Sequence, residues 1–508
     1  MKRKMIAMLM AATMLTAMLA GCGGEKSPDT SKKSEDGGEK KDVTISMMYC
    51  DGANEPYQKD WPVFEWIKEA AGVTLDMTIV PTSDYVAKRE LIFNSGEIPD
   101  IVAHTFATST DVASGILLPI SDYEDQMPNY QAFIEKYDLR DEIDKTRFPD
   151  GKYYTLPCKA HTERFQDVQW MIRTDVFEKN NLPIPKTYKE LLDVGMKLKE
   201  LYPDSTPITN RFGTNHILQG LAAMFGTASG WGYGDGMLYD HDTGKWTFAP
   251  TTDNYRSFLE YTNQLYQTGV LDKEFATLDS VVYEQKIVNS ETFIMFDWTA
   301  NKVRYNEQGK QIDPDYNVSP IYPMEGPEGD YAVGWKSSWS QGYCFPATLA
   351  EDEEHLAEVL AYLDWGFTDE AETLLTFGKE GETYQVNDNG IKEFIEPDVA
   401  RVKYGLNNNE LTIREDLDAI YSAYTPEEME LLGEISKVVP ATNPACPLDN
   451  DTLEDASLYI STLKDYVFSM TEKFIYGTED LANWDAFVAE CEAKGAIQLQ
   501  EAYDEAVK

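Results

Sequence analysis

The hydrophobic pattern opens on a charged start and an apolar run. Lys2, Arg3 and Lys4 precede a mostly apolar stretch from Met5 to Ala20. That order is the pattern of an export signal, and the run falls short of the about 20 residues that a membrane span takes. From Gly23 to Asp42 apolar positions vanish apart from Pro28, and Gly, Ser, Lys, Glu and Asp predominate. Such a stretch cannot bury a core and is expected to be a disordered tether.

Folded structure is expected from Val43. Val43 to Tyr49 reads as a buried strand. Pro62 sits just inside a helix start with Asp60 as its N-cap, and Val63, Phe64, Ile67, Ala70 and Ala71 give an apolar face that stops at Gly72. Val73, Leu75, Met77 and Ile79 alternate as a strand. A helix around Tyr85 to Phe93 leads to a short buried strand at Ile98–Val102. Strand, helix, strand, helix, strand implies a parallel sheet with helices on its faces, because parallel neighbours need a crossover. Thr187 and Glu190 have the spacing of a capping box. Near the end, Tyr459, Ile460, Leu463, Tyr466, Val467, Met470 and Phe474 recur at helical spacing. Leu481, Trp484, Phe487, Val488 and Cys491 do the same before Gly495 as a C-cap, which makes Trp484 a core residue.

Charge and chemistry narrow the function classes. The formal net charge is −44 at pH 7. Such a field repels nucleic acid and anionic head groups, so neither is an expected partner. Cys50, Cys158, Cys344, Cys446 and Cys491 are widely spaced with no C-x-x-C, which argues against a disulfide framework or a zinc site. They are expected to be small buried hydrophobes. There is no nucleophile elbow, phosphate-binding loop, H-E-x-x-H motif or dinucleotide fingerprint. His104, His161, His216, His241 and His355 are scattered without ligand spacing. Gly230, Gly232, Gly234 and Gly236 alternate with Trp231, Tyr233 and Asp235, a flexible aromatic loop rather than a phosphate cradle. Asn387-Asp388-Asn389-Gly390 lacks the closing glutamate of a calcium loop and reads as a hairpin turn. A surface glycosidase would need two carboxylates at a set separation, but among 88 acidic residues such pairs arise by chance. No enzyme activity, cofactor or metal is expected.

Two resemblances add to this reading. Leu19-Ala20-Gly21-Cys22 resembles the lipobox of bacterial lipoproteins, which implies cleavage before Cys22, a diacylglycerol on its sulfur and often a third acyl chain on its nitrogen. Two chains suffice for stable anchoring. Farther on, Asn94-Ser95-Gly96-Glu97-Ile98-Pro99-Asp100-Ile101-Val102, Leu118-Pro119-Ile120-Ser121-Asp122-Tyr123 and Asp150-Gly151-Lys152-Tyr153-Tyr154-Thr155-Leu156-Pro157 are similar to stretches of the extracellular solute-binding proteins of family 1. So are Ile172 to Phe177 with Pro185 to Leu191, Leu265 to Phe275, Phe377 to Tyr384, and the tail from Lys473 to Val488. Taken in order, they look most like the large lipoproteins of Gram-positive bacteria within that family.

The resemblance implies an α/β, two-lobed periplasmic-binding-protein-like fold of type II. Each lobe would be a mainly parallel sheet flanked by helices, with a helical C-terminal region. Residues 1–21 would be the signal and 22–42 the tether. Lobe 1 would take 43–157 and 340–440, and lobe 2 would take 158–339 and 441–508. It further implies a monomer on the outer face of the cell membrane, held by the lipid on Cys22. The monomer would bind a carbohydrate, an oligosaccharide above all, and pass it to ABC permease transmembrane subunits. A peptide or another small solute is the alternative ligand. Some family members carry a calcium loop after the helix that follows Pro185 to Leu191. Here Leu198 to Pro207 lacks the spaced oxygens, so no metal is expected there.

Ligands of open α/β sheets sit beyond the carboxyl ends of the strands. That rule selects Tyr49, Asp51, Asn54 and Glu55 after the first strand, and His104 and Thr105 after Val102. It selects His161, Glu163 and Arg164 where the chain should cross between lobes, and Asp297, Trp298 and Asn301 after Phe293–Phe296. Trp298 resembles the sugar-stacking aromatic of maltodextrin-type binding proteins. Trp335 and Trp339 lie at the expected second crossing, and Trp231 in the glycine-rich loop. Aromatic rings with carboxylates suit sugars, whose C–H faces pack on rings and whose hydroxyls seek charged or amide partners.

Overall fold

The computed structural model describes residues 43–52, 56–148, 150–159, 165, 168–327, 329–330, 341–388, 390–408, 410–417, 421, 424–439, 443, 448 and 450–506. The export signal, the tether and Cys22 lie outside them. From residue 42 onward the chain forms one compact unit.

The first sheet is built as the pattern predicts. Strands β1 (Val43–Asp51), β2 (Val73–Pro81) and β3 (Ile101–Val102) pair in parallel in the order β2-β1-β3. Val43 stands opposite Val73, Asp51 opposite Pro81, and Met47 opposite Ile101. As the central strand, β1 buries both faces: Met47 and Tyr49 enter the larger core while Met48 and Cys50 enter a smaller one behind it. The helix Pro62–Ala71 ends where Gly72, at φ 73°, turns left-handed and donates its N–H to the Lys68 carbonyl. Its N-cap is Trp61 rather than Asp60, and the Trp61 indole instead donates to the Val402 carbonyl at 2.8 Å.

Two large hydrophobic cores divide the described chain. One gathers residues from Ile45 to Cys158 and again from Tyr343 to Ile413. The other gathers residues from Trp170 to Met324 and again from Leu448 to Tyr503. Between them, β4 (Leu156–Cys158) leaves the first core and pairs antiparallel with the strand that returns to it. β5 (Val168–Arg173) opens the second core. A hairpin follows from β6 (Met237–Asp240) and β7 (Lys245–Phe248), then β8 (Ile294–Trp298) and β9 (Val318–Pro320). A two-residue pair β10 (Glu325–Gly326) and β11 (Gly329–Asp330) precedes the returning strand β12 (Gln341–Tyr343).

The second sheet departs from the mainly parallel expectation. Its order is β8-β5-β9, and β5 runs antiparallel to both neighbours. β8 and β9 are joined by the helix Asn301–Lys310 and run the same way, as a helical crossover allows. β5 follows the first core in the chain and runs against them. Ile208 extends the sheet through parallel bridges to Ile294 and Leu271.

Other local expectations are met with adjustments. β13 (Tyr384–Val386) and β14 (Lys392–Phe394) form the hairpin, closed by Asn387, which donates its N–H to the Ile391 carbonyl at 2.8 Å and accepts the Ile391 N–H on Oδ1 at 3.0 Å. Thr187 accepts from the Glu190 N–H at 3.2 Å, but Glu190 reaches back to the Lys186 N–H, one residue before the cap. The C-terminal helices Asn450–Tyr476, Trp484–Ala493 and Ala496–Ala506 form as their periodicity predicts, and Trp484 is buried in the second core. Cys50, Cys158, Cys344 and Cys491 are unpaired and buried. Cys446 lies outside the described residues. The helix Pro426–Lys437, expected in lobe 1, shares no large core with it. Its Leu432 and Ile435 pack with Phe165, Tyr322 and Tyr424.

Candidate functional site

The segment after Ile208 builds the floor of the site in the second core. Asn210 ties its own loop by donating its side-chain amide to the carbonyls of Gly213 and Phe275. Phe212 (φ 63°) and Gly213 (φ 62°) are then both left-handed, and the helix Thr214–Ala223 begins. A bulky residue with positive φ marks a conformation the surroundings must hold in place. The helix comes close to β8 because Gly220 faces Phe296, where a Cβ would lie 2.9 Å from the ring. That approach brings His216 under the end of β8.

Asp297 is the hub, not a ligand contact. It is fully buried, and both carboxylate oxygens are occupied. Its Oδ1 accepts from Arg211 Nη2 at 2.6 Å, from the Trp298 N–H at 2.8 Å and from Asn301 Nδ2 at 3.2 Å. Its Oδ2 accepts from the Tyr283 hydroxyl at 3.2 Å and from the Tyr305 hydroxyl. Burial is the largest influence and would raise the Asp297 pKa, but the Arg211 charge together with the hydrogen bonds from Tyr305 and the Trp298 N–H outweighs it, and the carboxyl is held below its usual value. Burial likewise works most strongly against the Arg211 charge, and Asp297 with the Tyr305 and Tyr283 hydroxyls together overrides it, so the guanidinium pKa is raised. The other side of Arg211 faces Glu284 at 3.4 Å, and Glu284 also binds Arg304 at 2.6 Å. Asn301 therefore serves the hub as well.

Above this ionic floor lies an aromatic platform. Trp298 is half-buried and stacks on His216 with centroids 4.8 Å apart and planes at 19°. Phe212 meets Trp298 edge-on at 6.0 Å and Trp231 at 5.2 Å, and Trp231 stands 5.9 Å from Trp298. The Arg211 guanidinium lies 5.3 Å from the Trp298 ring centre and 4.9 Å from that of Phe212. Trp231 is 45% exposed, so the cluster offers a ring face to solvent. The expected flexible loop is a short 3-10 turn, Gly230–Tyr233. Gly230 has φ 57°, and a Cβ there would sit 2.0 Å from the Asn215 carbonyl oxygen. Only glycine lets the turn seat Trp231 there. His216 is fully buried, and among the described residues neither ring nitrogen has a hydrogen-bond partner. Burial pushes its pKa down to about 4, so the ring is neutral at pH 7.

The first core presents different chemistry at its strand ends. Tyr49 is 2% exposed, and its hydroxyl accepts from Asn408 Nδ2 at 2.6 Å, which makes it a core residue rather than a ligand contact. Thr105 is also buried, with its hydroxyl donating to the Ala103 carbonyl at 3.0 Å. Asp51 is half-buried and accepts from the Tyr57 N–H at 2.8 Å. His104 is left-handed (φ 50°) and exposed, and its Nδ1 lies 3.5 Å from Glu410, whose side chain is 6% exposed. Phe106, two residues on, is 46% exposed. Of the predicted residues, the structure brings Trp231, Trp298 and Asp297 together, and it sets Asp51 and His104 at the first sheet's carboxyl edge. Asn54, Glu55, His161, Glu163, Arg164, Trp335 and Trp339 lie outside the described residues.

Sequence reasoning missed Arg211, Phe212, Phe106 and Glu410, and passed over His216 as a scattered histidine. The signal for the first two was Asn210-Arg211-Phe212-Gly213, a polar, aromatic and glycine break after a short buried stretch. A separate groove of about 450 Å³ lies between the helices Asn301–Lys310 and Pro426–Lys437 and β9. Among the described residues, none of the predicted site residues lines it. Among the described residues no group of three or more His, Cys, Asp and Glu is gathered to hold a metal ion. No helix among them is long and apolar enough to cross a membrane.

A two-core α/β chain with linked crossings and an aromatic site at a strand end is the architecture of a solute-binding protein. The family profile described as bacterial extracellular solute-binding protein matches residues 63–376, more than half of the chain, and the chain belongs to that family. Among its relatives is the polygalacturonan/rhamnogalacturonan-binding protein YtcQ of Bacillus subtilis, 24% identical over 97% of this chain and 96% of that protein. Among solved structures, the alginate-binding protein AlgQ2 without calcium ion aligns with TM-score 0.75 at 19% identity, covering 92% of this chain and 98% of the other. The Streptococcus pneumoniae ABC-transporter substrate-binding protein FusA in complex with kestose aligns with TM-score 0.71 at 19% identity, covering 91% and 98%. These likenesses establish the two-lobed fold, and the family and its neighbours are binding proteins.

Proposed function

We propose that this chain is the lipid-anchored substrate-binding component of an ABC importer, taking an oligosaccharide between its lobes and passing it to a permease pair. The observation that carries this reading is the platform of Trp231, Phe212 and Trp298 on His216, held from below by the Arg211–Asp297 pair. Aromatic faces suit the C–H faces of a pyranose, and polar groups at the rim suit its hydroxyls. The names of YtcQ, AlgQ2 and FusA, each tied to a glycan, support the same ligand class.

In this reading lobe 1 follows the core of residues 45–158 and 343–413, and lobe 2 that of 170–324 and 448–503. The helix Pro426–Lys437 belongs to the connection between them. Closure of the lobes buries the ligand. In the same reading Trp335, Trp339, Glu163 and Arg164, which the sequence alone puts at the expected crossings, complete the ligand set. The protein performs no covalent step: it binds, closes and releases as a monomer. Cys22 carries the lipid that keeps it at the outer face of the membrane, so Cys22→Ser is expected to move the protein into the medium, read by fractionation of expressing cells.

The test of ligand class is thermal melting of the purified protein against oligosaccharides, with peptides as controls. A ligand that binds only the folded state adds about 2.7 kcal/mol at a hundredfold excess over its Kd. A glycan that raises Tm and is recovered unchanged supports the reading. Trp298→Ala is expected to weaken that glycan by about 2 kcal/mol, roughly thirtyfold, by titration calorimetry. Peptide hits without glycan hits would replace the ligand class while leaving the fold and family untouched.

A further inference from the structure

The turn that carries Trp231 is tied down on both sides, and three of its side-chain ties lead to the C-terminal helices. Ahead of the turn, Ser229 is buried, with its hydroxyl 3.5 Å from that of Tyr255. The Tyr255 hydroxyl in turn lies 2.7 Å from that of Thr471, on the helix Asn450–Tyr476. Within the turn, Tyr233 is buried and meets Phe468 of the same helix edge-on, with centroids 5.1 Å apart. After the turn, Asp235 accepts from the Met237 N–H on Oδ1 at 3.0 Å and from the Tyr503 hydroxyl on Oδ2. Of the two rings in the turn, Tyr233 packs on the C-terminal helices and Trp231 is left facing solvent.

The last helix, Ala496–Ala506, is itself held in register. Gln500 Oε1 accepts from the Phe248 N–H at 3.3 Å, and Asp504 Oδ1 from the Trp246 N–H at 2.9 Å. Four helical residues rise about 6 Å and two strand residues about 6.8 Å, so these side chains match alternate N–H groups of β7. The Tyr503 ring meets Trp246 edge-on at 4.9 Å. Together these contacts fix the helix lengthwise, and with it the hydroxyl that reaches Asp235. The turn has little stiffness of its own: Gly234 (φ 57°) and Gly236 (φ 86°) are both left-handed, in a stretch where every second residue is glycine. Ordering such a stretch is costly in backbone entropy, and side-chain ties to a packed helix are what meet that cost.

We infer that Tyr503 and Thr471 are positioning residues for ligand binding: the C-terminal helices hold the glycine-rich turn so that Trp231 is set beside Trp298 before the ligand arrives. The inference rests on the carbohydrate reading above. Neither residue touches the sugar. The turn is already ordered in the free protein, so its ordering does not weaken binding.

Calorimetric titration of the full protein with gluco-, manno-, xylo- and fructo-oligosaccharides and with oligogalacturonides supplies the reference glycan. Tyr503→Phe keeps the ring on Trp246 and removes the bond to Asp235. It is expected to weaken that glycan about three- to tenfold, with Tm lowered by at most a few degrees. Made in a Trp231→Ala background, the same change should weaken binding by less than about twofold, because the ring it seats is gone. Thr471→Val gives the same pair of measurements from the other side of the turn, and it decides the matter if Tyr503→Phe folds poorly. Equal losses in both backgrounds mark a general structural role and overturn the inference. So do folded variants that bind like the parent, or a Trp231→Ala protein with unchanged affinity, and each of these outcomes leaves the carbohydrate reading intact. Peptide binding alone, or silence across the whole panel, fails the carbohydrate reading and takes the inference with it.

Discussion

β1 and β8 end in mirror-image ways. β1 closes on Tyr49-Cys50-Asp51 with the aromatic ring buried and the acid at the edge, whereas β8 closes on Asp297-Trp298 with the acid buried and the ring at the edge. Both ends looked alike as ligand candidates, each being an aromatic and an acid just past a buried run. What separates them is the partner each buried group finds. Tyr49 needs one neutral hydrogen bond and takes it from Asn408, 359 residues away in the chain. Asp297 carries a charge and survives burial only because Arg211, 86 residues away, comes with it. A neutral partner makes a wall, while an ion pair makes a foundation on which a ring can be set.

The sharpest way to break this contrast is to remove the foundation. Asp297→Ala leaves Arg211 buried without its main counter-charge and is expected to cost about 3–5 kcal/mol by urea denaturation. It should abolish glycan binding under conditions where the variant is still folded, because Trp298 loses its seat.

Acid probes the same floor more gently. His216 has its pKa lowered to about 4 by burial, against about 6.5 in an unfolded chain. The unfolded state therefore takes up a proton that the folded state refuses, and stability falls as pH drops from about 6.5 to about 4, by about 3 kcal/mol in all. His216→Phe should flatten that slope in denaturation curves measured across the window. His355 in the first lobe works with the opposite sign. Burial alone would lower its pKa, but Asp100 at 3.1 Å and Glu358 at 3.4 Å overcome that and raise it. Its contribution is fully present below the ordinary histidine value and is lost as pH rises through the raised one. His355→Gln should remove a small alkaline decline and leave the acid slope untouched.

The smallest effect belongs to the β1 end. Tyr49→Phe deletes one neutral hydrogen bond and is expected to cost about 1 kcal/mol of stability, with no change in glycan affinity by calorimetry. A large affinity loss there would erase the distinction between the two strand ends.

The fold was legible where local signals and burial agreed. Pro62, Gly72 and the alternation from Val73 to Ile79 marked the first β-α-β unit, and the rows around Tyr466 and Phe487 marked the last helices. The site was legible only in part. Trp231 and Trp298 stood out because large rings beside glycines and strand ends have few structural uses. Asp297 stood out by position, yet its role depended on Arg211, and no spacing rule links them. Glu410 follows no strand and carries no motif, so only the folded chain brings it beside His104. The direction of β5 was likewise hidden, because it depends on how the chain enters the second sheet.

The stack of Trp298 on His216 has an optical consequence. An imidazolium quenches indole emission strongly and a neutral imidazole does so weakly, and His216 remains neutral down to about pH 4. Trp231, beside it, is the single tryptophan among the described residues with an exposed side chain. The platform is thus a built-in fluorophore whose brightness is insensitive to acidity above about pH 4, and among the described tryptophans a soluble quencher would address Trp231 first.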